Sequence, residues 1–152
     1  MLKKVYDFNQ ARNEFKFDRA LEIKMFKEEV GEFFKEAKTT ADRVDAYVDS
    51  EYVIQGSEMK SICHGKENPN TELWRRAEPI MRAILVSELA PLDINVIISK
   101  ARIIVCDANE IKGKKLEDGK VSKDGFNVNP TLQIAEMIAE EKKNSKSEKK
   151  DK

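Results

Sequence analysis

Apolar residues recur at helical spacing along most of this chain, with polar breaks between the periodic stretches. A first helix is expected from about Val5 to Phe15. Phe17-Asp18 leads into a second, with Asp18 as its N-cap and an end near Lys38. Ile23, Phe26, Val30, Phe33 and Ala37 form its apolar face. The break Thr39-Thr40-Ala41-Asp42 restarts a helix that runs to about Cys63, and HGKENPN is a loop. Thr71 opens a further helix through Trp74, Ile80, Ile84 and Leu85, in which Pro79 either marks a kink or sits near the start. Pro91-Leu92-Asp93 is a turn and cap. Ile94, Ile97, Ile98, Ala101, Ile104 and Val105 then repeat at helical spacing, although their β-branching makes a strand over Ile103–Cys106 the competing expectation. The stretch from Asp107 to Pro130 is expected to be irregular, and Thr131 to about Lys142 a short final helix. The sum is an all-α bundle.

Five carboxylates interrupt this pattern. Glu28, Glu29 and Glu32 share one side of the second helix, turned away from its main apolar face. Asp45 and Asp49 lie within about 40° of each other on the third. They fall in the middle of an arc formed by Ala41, Val48, Tyr52, Val53, Gly56 and Met59, while Arg43, Ser50, Glu51 and Glu58 take the opposite side. Burying unpaired carboxylates in an apolar stripe is expensive, so facing acids on neighbouring helices call for cations. Oxygen ligands favour a hard divalent ion. The competing reading is a structural ion-pair cluster.

Composition narrows the field. Lys plus Arg and Asp plus Glu number 28 each, which leaves no net field to attract nucleic acid or an anionic membrane. No apolar run is long enough to span a bilayer, and MLKKVYDF lacks the apolar core of a signal peptide, so a cytoplasmic protein is expected. Residues 1–142 are expected to form one domain, with 143–152 a disordered, Lys-rich tail. Cys63 and Cys106 have no metal-site spacing, the only histidine is His64, and no Gly-rich phosphate loop is present. Phosphate chemistry would therefore need a metal ion. The segment DANEIKGKKLEDGKVSKDGFNVNP places Lys112, Lys114, Lys115, Lys120 and Lys123 close together, suited either to polyphosphate or to plain solubility.

These motifs resemble the MazG-like all-α NTP pyrophosphohydrolases. The EExxE element stands as Glu28-Glu29-Val30-Gly31-Glu32. The run Asp45-Ala46-Tyr47-Val48-Asp49-Ser50-Glu51-Tyr52-Val53-Ile54-Gln55-Gly56 looks like the second element of the phosphoribosyl-ATP-diphosphatase-like branch. Ala108-Asn109-Glu110-Ile111-Lys112 and Glu117-Asp118-Gly119-Lys120-Val121-Ser122-Lys123 follow in that branch's order. The chain departs from the family at Ala46, where a strict ExxD has Glu, and in a stretch at 64–93 that reads as a helical insertion.

The resemblance implies a four-helix bundle completed by dimerisation, as a homo-oligomer of two or four chains. It also implies Mg²⁺-dependent cleavage of a nucleotide between the α- and β-phosphates, with Mn²⁺ as an alternative ion. Glu29, Glu32, Asp45 and Asp49 would be metal ligands, Glu28 the general base and Asp42 an outer contributor. Asn109, Lys112, Lys120 and Lys123 would bind substrate, and Tyr52 or Trp74 could stack on a base. A true phosphoribosyl-ATP diphosphatase, a dUTPase-type enzyme and a non-catalytic helical module are the alternatives.

Overall fold

The computed structural model describes residues 1–117 and 129–150, and the side chains of all of these but 13, 112–117 and 148–150. Helices α1 (Leu2–Asn13), α2 (Arg19–Gly31), α3 (Thr40–Cys63), α4 (Thr71–Leu89), α5 (Ile94–Glu117) and α6 (Pro130–Lys150) make up the fold, with a π-helical turn at Glu32–Glu36. No strand occurs among the described residues, so the stretch considered for one, Ile103–Cys106, is helical. No described helix is long and apolar enough to cross a membrane.

Local chemistry sets several boundaries. Asp18 caps α2 by accepting from the Leu21 N–H at 3.2 Å. Thr39 and Asp42 form a reciprocal capping box on α3: Thr39 Oγ1 accepts from the Asp42 N–H, and Asp42 Oδ2 accepts from the Thr39 N–H. Asn129 caps α6 through the Leu132 N–H at 3.1 Å, and Pro130 takes the first helical position, where no N–H is needed. Helix α1 stops earlier than expected because Glu14 and Phe15 take left-handed backbone conformations.

Three further boundaries differ from the sequence expectation. The second helix does not run regularly to Lys38; it loosens into the π turn and ends at Ala37, whose backbone is extended. Helix α5 continues through residues expected to be irregular, because Ala108 extends the buried stripe of Ile97, Ala101 and Val105. Helix α6 continues to Lys150, past the boundary at 142 where a disordered tail was expected. That extension contains no Gly or Pro and is rich in Lys. Just before it, Glu141 ties α6 to α5 through an ion pair with Lys100.

Helix α3 is the axis. It packs against α1, α2, the π turn, α4, α5 and α6. Val44, Tyr47 and Val48 meet Met81, Leu85 and Leu89 of α4, Ile97 and Ala101 of α5, and Ile134 of α6 in one core. The 64–93 segment therefore supplies core residues. Trp74 packs near Phe26 and Tyr47 at the edge of this core, which places it with the packing residues. A second, smaller cluster of Val5, Tyr52 and Cys106 seats α1 on α3 and α5.

Close approach of α1 to α3 depends on Gly56. A Cβ there would lie 2.8 Å from Asn9 Nδ2, and Asn9 is buried and donates to the Val5 carbonyl at 2.9 Å. Gly56→Ala is expected to destabilise the fold by about 1–3 kcal/mol through overpacking, read as a lowered denaturation midpoint. An unchanged midpoint would mean that Asn9 is not held against α3.

Candidate functional site

The acids of α2 meet those of α3 where the two helices run side by side. Glu29, Glu32 and Asp49 each present a carboxylate oxygen within 4.8 Å of the others. Glu29 and Asp49 are partly buried, whereas Glu32 is exposed. Glu32 begins the π turn, whose wider winding alters the direction of side chains after Gly31. Glu29 Oε2 is buried with no hydrogen-bond partner among the described residues.

The electrostatics express this crowding. Burial, then the charge of Glu32 and a side-chain hydrogen bond with it, then the charges of Asp45 and Glu28, push the Glu29 carboxyl up to about 8 from an ordinary 4.5. A carboxyl in this state holds a proton near neutral pH, which a divalent cation would displace.

The remaining expected residues are placed as follows. Asp45 is close enough to contribute to the Glu29 shift, but it stands outside the three-carboxylate group, and its Oδ2 accepts from Thr131 Oγ1 at 3.0 Å. Asp42 serves the helix cap. Burial opposes its ionisation, yet N–H groups of Lys38 and Thr39 at its carboxylate hold it below the ordinary value. Both donors bond Oδ2, and Asp42 also lines a small cavity together with Glu32 and Asp45. Glu28 is exposed and lines a cleft of about 620 Å³ together with Glu29 and Asp49. Asn109 reaches the same cleft from α5. Lys112 lies on α5 with its side chain outside the described residues, and Lys120 and Lys123 lie outside them altogether.

The cleft also has walls that the motifs did not indicate. Asn9, Arg12 and Lys16 line it from the N-terminal segment, with Arg12 5.4 Å above the Phe8 ring. Tyr52 lines it too, edge-on to Phe8 at 5.5 Å. Glu22 and Lys60 form a buried ion pair in its wall at 2.7 Å. Glu22 sits two turns before Glu29 on the same helical face, a spacing visible in the sequence. Nothing local signals that Arg12 and Lys16 fold back onto that face. A smaller cavity of about 210 Å³ opens on the far side of Glu32 and Asp45, bounded by Glu36, Lys38 and Thr131.

Comparison of the chain with protein-family models, with curated proteins and with solved structures gives no match. The likeness to MazG-like enzymes therefore rests on the sequence motifs alone.

The Glu29 shift fixes a pH dependence. A carboxyl with a raised folded-state pKa binds more protons in the native state than in the unfolded state. Its contribution to stability is full below 4.5 and is lost as pH rises toward about 8. In chelator, the melting temperature is expected to fall across that window and Glu29→Gln to flatten the decline. Mg²⁺ should raise the melting temperature more at alkaline pH than at acid pH. A pH-independent response to Mg²⁺ would contradict the placement of these acids.

Proposed function

We propose that this chain is a Mg²⁺-dependent nucleotide pyrophosphohydrolase, which splits a nucleoside triphosphate between its α- and β-phosphates into monophosphate and pyrophosphate. One observation carries the reading. Three carboxylates converge within 4.8 Å, one with a buried oxygen that has no hydrogen-bond partner among the described residues, and two of them, Glu29 and Asp49, line a cleft large enough for a nucleotide. The donor set fits a hard divalent ion: all oxygens, all on helices, with surplus negative charge. Bound there, Mg²⁺ would neutralise charge on the phosphates and promote deprotonation of the attacking water.

The chain's own residues supply the rest. Glu29, Glu32 and Asp49 hold the ion, with Asp45 beside them as a fourth candidate. Glu28, exposed on the cleft wall, would accept a proton from water as the anhydride bond breaks. Asn109 can donate its amide N–H to a phosphate or sugar oxygen from the opposite wall. Arg12 and Lys16 bring positive charge to the same cavity, which offsets the charge of a polyphosphate. Lys112, Lys120 and Lys123 keep the phosphate-binding role that the family resemblance implies. That resemblance also carries association into a dimer or tetramer, which light scattering tests.

A panel of ribo- and deoxyribonucleoside triphosphates with pyrophosphate detection checks the reading. Pyrophosphate release is expected only with Mg²⁺ or Mn²⁺. Glu29→Gln, Glu32→Gln and Asp49→Asn are each expected to lower turnover by orders of magnitude without loss of helical content. No metal-dependent release from any nucleotide would overturn it.

A further inference from the structure

The end of the cleft away from the acid cluster holds a different chemistry. Glu22 is 1% exposed and Lys60 4%, and both line the cavity. Lys60 Nζ donates to Glu22 Oε1 at 2.7 Å, while Glu22 Oε2 is buried with no hydrogen-bond partner among the described residues. A buried carboxylate normally satisfies both oxygens, so an orphaned acceptor in a cavity wall marks a position for a donor. Lys60 uses one of its three N–H groups on Glu22 and has donors to spare. The pair thus offers an acceptor beside a donor.

Its setting is rigid. Asn70, 2% exposed, donates to the Glu22 carbonyl at 3.1 Å and to Ser57 Oγ at 3.2 Å, which ties the 64–70 loop to α2 and α3. Ser57 in turn donates to Asn68. The Glu22 backbone is therefore pinned from behind.

Spacing links the two ends. Glu22 and Glu29 share a face of α2 seven residues apart, about 10 Å along the axis. Met25 lies between them on that face, and Tyr52 and Val53 line the cavity from α3. An apolar midsection separates a donor–acceptor pair from a cation-binding end. A nucleoside phosphate has the same order of parts: a hydrogen-bonding base edge, an apolar base face, and phosphates.

We propose that Glu22 and Lys60 read the hydrogen-bonding edge of the nucleobase, with Glu22 Oε2 accepting a base N–H and Lys60 donating to a neighbouring base oxygen or ring nitrogen. The inference rests on the hydrolase reading for its orientation, with the phosphates at the acidic end. These two residues set which base is accepted and take no part in bond cleavage.

Calorimetric titration tests it, with nucleoside 5′-monophosphates of each base and inorganic tripolyphosphate as probes, in the presence of Mg²⁺. Wild type is expected to rank the bases. Glu22→Leu with Lys60→Met replaces the pair by apolar groups of similar size, a change that buried ion pairs commonly tolerate. That double variant is expected to bind the preferred monophosphate about ten- to hundredfold more weakly and to lose the ranking. Its tripolyphosphate affinity should stay as in wild type. If the double variant does not fold, Glu22→Asp keeps the charges, withdraws the carboxylate and is expected to change the ranking.

A folded variant with the wild-type ranking overturns the inference and leaves the hydrolase reading standing. Base-ranked binding by wild type, lost in the variant, with no pyrophosphate released from triphosphates would do the reverse. A wild-type protein that binds no nucleotide overturns both.

Discussion

A helix surrounded on every side has no solvent face on which to leave its charges. Helix α3 is in that position over most of its length, with only its last turns, at Glu58, Ile62 and Cys63, reaching solvent, and the rest of the molecule is arranged around the consequence. Each ionisable side chain in the packed part needs a local answer. Asp42 is answered by backbone N–H groups at the helix start. Arg102 of α5 grips Glu51 with two hydrogen bonds at 2.9 and 2.6 Å. Lys60 is paired with Glu22. Asp49 is different in kind, because the side chains brought nearest to it include two further carboxylates. Bringing like charges together in a partly buried place is unfavourable, and burial together with these neighbours pushes the Glu29 carboxyl up to about 8. An ion of opposite charge would resolve that repulsion.

The same axis explains why acids and cleft coincide. Helix α2 lies beside α3 with Phe26 buried, and the π turn that follows buries Phe33 while Glu32 stays exposed. Helix α1 then closes the far wall, set at close range by the absence of a side chain at Gly56. His64, at the C-terminal end of α3, contacts the Phe15 carbonyl through Nε2 at 2.8 Å and so fastens the turn between α1 and α2. The sole histidine thus anchors the wall that carries Arg12 and Lys16, and it lies outside the acid cluster.

The legible parts of the sequence were those decided within a few residues. Asp18, the Thr39–Asp42 box and Asn129-Pro130 are short-range signals, and the periodicity of Phe26 and Phe33 was sufficient to orient α2. Helical spacing puts Glu29 and Glu32 on one side of their helix, and the packing of that helix on α3 brings them within 4.8 Å of Asp49. The rest depended on distant partners. Ser50 and Glu51 looked like a solvent face but are buried, since a one-sided pattern assumes a helix with an open side; the partner of Glu51 is 51 residues away. Asp45 matched the motif, yet its hydrogen bond goes to Thr131, on a helix 86 residues later. The π turn, the basic wall from α1 and the Glu22–Lys60 pair all arise from packing between helices, which local periodicity does not encode.

The central claim is that Glu29, Glu32 and Asp49 together hold a divalent cation. Anomalous scattering from crystals grown with Mn²⁺ addresses it without reliance on activity. The account predicts a strong peak bounded by these three carboxylates, lost in Glu29→Gln crystals grown in the same way. Crystals with no peak there, or with Mn²⁺ only at unrelated surface acids, would contradict it.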